Sequence, residues 1–252
     1  MGRERMLQPE RMRETADAVR TFYRQAIERG AQTYVFATAA VRGARNGGDF
    51  VRDLATDGIA VDVVSGETEA RLGFAGAYTQ GVCAVIDIGG GSTELSVGDA
   101  HGMRYARSVP LGLAVVHDAC KEDAVKTAAL ADELYAAFDD CPPFDTLLGI
   151  GGTVTSFAAI CQGLDPYDAR LTDGYCIQLD ELRRRTEEIA RMSLVERAGV
   201  VGLQPKRRDL IVGGGRILAA LTERLHATRI RVRESDNLEG YLYARLRERG
   251  DR

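Results

Sequence analysis

The chain has 252 residues, of which 45% are hydrophobic and 28% charged, with a formal net charge of −4. That length suits one large domain or two small ones, each burying a core of its own. The mildly acidic balance excludes an extended nucleic-acid footprint, so an anionic substrate would need local donors rather than a global field.

The opening residues 1–6 lack the apolar core of a secretory signal, and no apolar run approaches the ~20 residues of a membrane span. Residues 9–29 carry apolar side chains at helical spacing (Met12, Ala16, Val19, Phe22, Tyr23, Ile27), and Gly30 stops the pattern. Residues 33–37 read as a short buried strand, 49–57 as a helix and 59–64 as a second strand. This αβαβ alternation predicts a mostly parallel sheet, although two strands are few for one. The loop after the first strand holds Arg42 and Arg45, which suit phosphate through the guanidinium fork or simply form a solvated basic loop. After the second strand comes SGETEARLG, residues 65–73, a helix start with Glu67 and Glu69 in its first turn. Carboxylates there are favoured by the helix dipole whether or not they do chemistry.

The stretch CAVIDIGGGSTELSVG, residues 83–98, organises the rest. An apolar run ends on Asp87-Ile88, three glycines follow, then Ser92, Thr93 and Glu94, and a returning strand at 95–97. Glycines supply a tight turn and let backbone amides approach an anion closely. Asp87 and Glu94 flank the turn with hard oxygens suited to a divalent cation carried by phosphate. The alternative is a glycine turn with two incidental acids. Residues 121–138 read as an amphipathic helix. Residues 145–150 read as a strand running into Gly151, Gly152 and Thr153 and then a helix over 154–161, a ready anion site. The Lys of a Walker-A loop and the full spacing of a dinucleotide fingerprint are both missing. Residues 179–191 form another charged helix. The segment 207–221 allows either strand, glycine turn and helix or one long helix tolerating glycines for close packing. Residues 229–233 alternate like a strand. Asp236 caps a final helix, with Glu239 as its reciprocal partner. The cysteines (Cys83, Cys120, Cys141, Cys161, Cys176) form no C-x-x-C pair and only three histidines are present, which points to reduced thiols in a cytoplasmic protein rather than a zinc site.

The blocks TAAVR with Arg45-Asn46, SGETEARL, IDIGGGSTE, GIGGT and SDNLEG follow one another in the order and approximate spacing of one family. From about residue 9 to 246 the chain resembles the exopolyphosphatase/guanosine-pentaphosphate phosphatase family, of the short type without an appended helical domain. The resemblance implies an α/β fold of two actin-like (ribonuclease H-like) domains with an interdomain phosphate-binding cleft. The first domain would cover residues 1–81 and the second 82–252, with a final helix from about 236 packing back on the first. It also implies a Mg²⁺-dependent phosphoanhydride hydrolase that removes the terminal phosphate of inorganic polyphosphate or guanosine pentaphosphate.

Carried over by position, Glu69 matches the glutamate that positions and deprotonates the attacking water. Asp87 and Glu94 match the metal-cleft acids. Gly89, Gly90, Gly91, Ser92 and Thr93 match a phosphate loop, and Arg42 a substrate-contacting arginine. Gly151, Gly152 and Thr153 would cradle the outgoing phosphate side, and Arg45 joins the phosphate-binding set. Family members begin with a strand and a D-x-G-[ST]-N-[ST] loop; this sequence starts at the helix after it, so the first domain is expected to be incomplete. Two other readings stay open: a non-catalytic polyphosphate or alarmone binder, and an actin-like small-molecule kinase, against which the SGETEA setting of Glu69 weighs. No nucleic acid or membrane partner is expected, and a homodimer is compatible with the resemblance.

Overall fold

The computed structural model describes residues 6–250. The chain groups into two compact units, the first ending at Glu69 and the second starting at Ala70. The division falls inside a helix, so part of the segment expected in the first domain up to residue 81 belongs to the second unit.

The first unit contains α1 (Pro9–Glu28), β1 (Val35–Ala37), α2 (Ala39–Arg42), α3 (Gly47–Ala55), β2 (Val61–Val63) and the first turn of α4 (Gly66–Ala77). Proline at the start of α1 costs no hydrogen bond, and Gly30, at φ +67°, turns the chain out of its end. Ala16 of α1 is buried with Phe50, Leu54 and Ile59, while Met12, Val19 and Tyr23 pack around them. Phe22 and Ile27, expected on the same apolar face, are exposed. Strands β1 and β2 pair in parallel, Val35 opposite Val61. The loop after β1 differs from expectation in carrying the single helical turn α2, closed by Gly43.

The second unit is built on six strands: β3 (Cys83–Ile88), β4 (Thr93–Asp99), β5 (Gly102–Val109), β6 (Thr146–Ile150), β7 (Cys176–Gln178) and β8 (Arg229–Val232). Their order is β5-β4-β3-β6-β8-β7. The central three, β3, β6 and β8, run parallel, and β4, β5 and β7 are antiparallel to their neighbours. The period of two sends Ala84, Ile86 and Ile88 to one face and Cys83 and Val85 to the other. The first face packs under α5 (Leu113–Cys120), α6 (Ala124–Tyr135), α7 (Gly151–Gln162), α9 (Leu179–Ala190) and α10 (Ile211–Arg224), and a further short helix, α8, spans Ala169–Thr172. The other face holds Phe74 and Ala77 of α4 with Leu148 and Ile150 of β6.

Within segment 207–221 the glycines fall in a helix, which begins at Ile211. Gly213, Gly214 and Gly215 lie inside α10, where an added Cβ would come within 2.9 Å of Val116, 2.7 Å of Leu113 and 2.2 Å of Thr186. The glycines therefore bring helices close and make no turn. The last helix, α11 (Asn237–Glu248), has the expected capping box between Asp236 and Glu239. It lies against α4: a Cβ on Gly240 would meet the Leu72 carbonyl at 1.9 Å, and one on Gly76 the Asp236 carbonyl at 2.0 Å.

Candidate functional site

In the first unit, Glu69 follows a hydroxyl-started helix. The Ser65 Oγ accepts from the Thr68 amide at 3.0 Å, and the Glu69 amide donates to the Ser65 carbonyl at 2.8 Å. This places Glu69 on the first turn of α4, buried at 8% exposure. Arg42 reaches it from the end of α2. One guanidinium nitrogen donates to Glu69 Oε2 at 3.1 Å and to the Val64 carbonyl at 2.7 Å. Arg42 thus anchors the end of β2 and orients the carboxylate. Arg45 lies exposed on the loop before α3. The neighbouring Asn46 is structural, since its amide both accepts from and donates to the Leu7 backbone.

In the second unit, the two glycine loops leave the C-terminal ends of adjoining parallel strands. Asp87 pairs in register with Ile150 across β3 and β6, so residues 89–92 and 151–153 begin side by side. Gly151 has φ +78°, and a Cβ there would stand 2.7 Å from Asp87 Oδ1; only glycine lets the loop pass the carboxylate. Asp87 and Glu94 are direct cross-strand partners, which puts both side chains on one face of the sheet. Glu94 is buried and accepts from the Ser108 hydroxyl at 2.7 Å. Gly90 and Gly91 have open space at their Cβ positions. The carbonyls of Gly89 and Gly90 accept from the Leu113 and Ala114 amides at 2.9 and 2.8 Å, so the N-terminus of α5 holds the loop in shape.

The two threonines do not serve the loops as donors through their hydroxyls. Thr93 belongs to β4, is fully buried, and donates to the Leu111 carbonyl beside the Tyr135 hydroxyl. The same burial pushes the Tyr135 phenol up. Thr153 is also buried, and its hydroxyl points at the Ile88 carbonyl, 3.3 Å away, tying α7 to β3. In both cases a hydroxyl expected to face phosphate satisfies an internal carbonyl instead, because an unpaired buried acceptor is costly. Ser92 remains partly exposed on the turn.

Two residues at this end of the sheet were not singled out from the sequence. Asn237, the first residue of α11, donates to Asp87 Oδ2 at 3.3 Å, and its own Oδ1 is buried without a hydrogen-bond partner. Arg207 brings its guanidinium against Gly152, where a Cβ would fall 1.9 Å from Nη2. Among the described residues no hydrogen bond or ion pair engages that guanidinium. No spacing rule connects Arg207 with residue 152; the basic run at 206–208 was the only signal.

The donor set fits magnesium better than a transition metal. Among the described residues no group of three or more His, Cys, Asp or Glu side chains stands together. Mg²⁺ typically takes one or two carboxylates and leaves its other positions to water and substrate phosphate. Asp87 and Glu94 on one sheet face would supply those carboxylates.

The α/β arrangement of this chain is found in solved structures. It matches an Aquifex aeolicus Ppx/GppA family member with TM-score 0.83 at 23% identity, over 97% of this chain and 84% of that one. An exopolyphosphatase-like protein matches with TM-score 0.90 at 24% identity, over 97% and 87%. The chain belongs to the Ppx/GppA phosphatase family, whose model matches residues 1–249.

Among relatives, Exopolyphosphatase 2 of Mycobacterium tuberculosis is 28% identical over 205 residues, 74% of this chain and 64% of that protein. The guanosine-5'-triphosphate,3'-diphosphate pyrophosphatase of Pseudoalteromonas atlantica is 30% identical over 231 residues, 84% and 44%. A bifunctional 3-dehydroquinate synthase/phosphatase of Fusobacterium nucleatum is 27% identical, over 81% of this chain and 33% of that protein. The chain thus spans between one third and two thirds of the length of these relatives. No helix among the described residues is long and apolar enough to cross a membrane.

Proposed function

We propose that the protein is a Mg²⁺-dependent phosphoanhydride hydrolase releasing the terminal phosphate of inorganic polyphosphate or guanosine pentaphosphate. The observation that carries the reading is the pair of glycine loops starting side by side beside Asp87. Family membership and relatives named for both substrates support it.

In this reading the Gly89 amide closes the turn by donating to the Ser92 carbonyl at 3.0 Å, the loop amides of residues 90–92 and 151–152 receive the phosphate oxygens, and the unpaired Arg207 guanidinium adds a bidentate donor. Asp87 and Glu94 would hold the magnesium ion, which supplies neutralisation of phosphate charge when bound. Asn237 fixes the Asp87 carboxylate. Glu69, oriented by Arg42, takes a proton from water as its oxygen forms a bond to the terminal phosphorus. The bridging P–O bond breaks, orthophosphate leaves, and the shortened chain departs as the other anion.

A non-catalytic phosphate binder is the second reading. It is favoured by one observation: Arg42 already occupies an oxygen of the proposed base. Phosphate release is the test, measured from long-chain polyphosphate and from guanosine pentaphosphate, with Mg²⁺ and after chelation. Release that requires Mg²⁺ supports hydrolysis. Binding of both ligands without release supports the second reading, and neither binding nor release contradicts both.

A further inference from the structure

The second unit has another polar concavity, at the end of the sheet opposite the glycine loops. It encloses about 290 Å³ and is lined by the start of β6, by residues 226–229, and by Arg231 and Cys176. Strands β6 and β8 run parallel, and Gly151 follows the far end of β6. The five residues of that strand set the two sites about 15 Å apart.

The pattern Arg229-Ile230-Arg231-Val232 explains the lining. Ile230 and Val232 are fully buried in the core, so the period of two turns Arg229 and Arg231 to the other face. There they lie opposite Gln178 and Cys176 of β7. Several arginines elsewhere in this unit meet carboxylates: Arg183 with Glu223, Arg197 with Glu122, Arg216 with Glu187, Arg224 with Asp139. Arg229 and Arg231 do not. Among the described residues neither guanidinium has a hydrogen bond or an ion pair.

His226, Thr146 and Thr228 complete the polar lining, and Asp145 is its single carboxylate. That carboxylate already accepts from the Val82 amide at 3.0 Å. Two permanent positive charges in a concavity, with hydroxyls and an imidazole beside them, select an oxyanion. The volume lies at the small end of ligand sites, which suits a phosphate group rather than a large organic molecule.

We propose that this concavity is a second phosphate-binding site, in which Arg229 and Arg231 hold a phosphate oxyanion assisted by His226 and Thr228. It binds without magnesium, because only one carboxylate lines it. The inference stands apart from the hydrolase reading and does not need the glycine loops to be active. Its ligand is either free orthophosphate or a phosphate group of a longer phosphorylated molecule.

Calorimetry of the whole chain in chelator, with orthophosphate and separately with tripolyphosphate, tests it. The expected result is magnesium-independent binding that survives Asp87→Asn and weakens at least tenfold in Arg229→Gln/Arg231→Gln. Both arginine side chains project from the sheet, so the melting temperature of the double variant should match the parent. Arg229→Glu alone, at the exposed position, gives the same answer by charge reversal should the double variant melt early. Equal affinity for both probes assigns the site to orthophosphate; binding of tripolyphosphate alone assigns it to a longer phosphorylated molecule. Absence of any binding in chelator, or binding undiminished in the arginine variants, overturns the proposal.

Discussion

Arg207 and Gly152 show how one missing methyl group makes room for a charge. Alanine at 152 would place its Cβ 1.9 Å from Arg207 Nη2, yet the obstacle is the end of a flexible side chain. The fold can therefore accept Gly152→Ala by swinging the guanidinium away from the start of α7. We expect an unchanged melting temperature and roughly a tenfold loss of polyphosphate affinity, the worth of one hydrogen bond to a charged group. Calorimetry beside a thermal melt checks both halves; strong destabilisation would mean that Arg207 is a structural support. At this scale the residues at 87, 89–92 and 94 stand out in the sequence because acids and glycines cluster there at short range, whereas Glu69 stands out only through the family resemblance. The directions of the Thr93 and Thr153 hydroxyls were not. They depend on which carbonyl lies unpaired nearby, and only strand and helix packing decides that. Asn237 and Arg207 escaped because they reach Asp87 and Gly152 from distant parts of the chain.

Between elements, the tightest junction is α4 against α11. Gly76 and Gly240 face backbone carbonyls across it, at 2.0 and 1.9 Å from an added Cβ, and a backbone cannot swing aside. Gly240→Ala should cost about 1–3 kcal/mol or more, as overpacking does. Urea unfolding reads this as a lower midpoint with unchanged slope, and a stability within error of the parent would show that α11 is free to shift. The capping box of α11 and the alternation of helix and strand could be read from sequence because both are local. Strand β5 could not. Its residues are mostly exposed or half-buried, so GMRYARSV shows no clean apolar alternation, and its place depends on pairing with β4. The glycines of α10 left two readings open for a related reason: only Val116, Thr153 and Phe157 packed against 213–215 decide for a helix over a turn.

For the molecule as a whole, several carboxylates are held by arginines, two of them across distant segments, and acid should loosen them. The Arg224 guanidinium holds Asp139 below the usual carboxylate range, Arg216 does the same for Glu187, and Arg170 lowers Asp168 to about 2. Groups lowered on folding stabilise above their unfolded value, near 4, and lose that contribution as pH falls through the folded one. The melting temperature should therefore fall as pH drops from about 5 toward about 2, less so in high salt, where these exposed pairs are already screened. A melt indifferent to pH over that range would show that the pairs contribute nothing.

The central claim is that Glu69 deprotonates the attacking water, and its most direct measurement is phosphate release by Glu69→Gln beside Glu67→Gln. Glutamine keeps the size and can still accept a hydrogen bond from Arg42, but it is a far poorer proton acceptor. The account predicts a loss of about 10²–10⁴-fold in turnover for Glu69→Gln, with polyphosphate affinity retained. Glu67→Gln should stay near parental activity, since residues two apart point to different sides of a helix. Near-full turnover in Glu69→Gln, or its loss only in Glu67→Gln, would contradict the account.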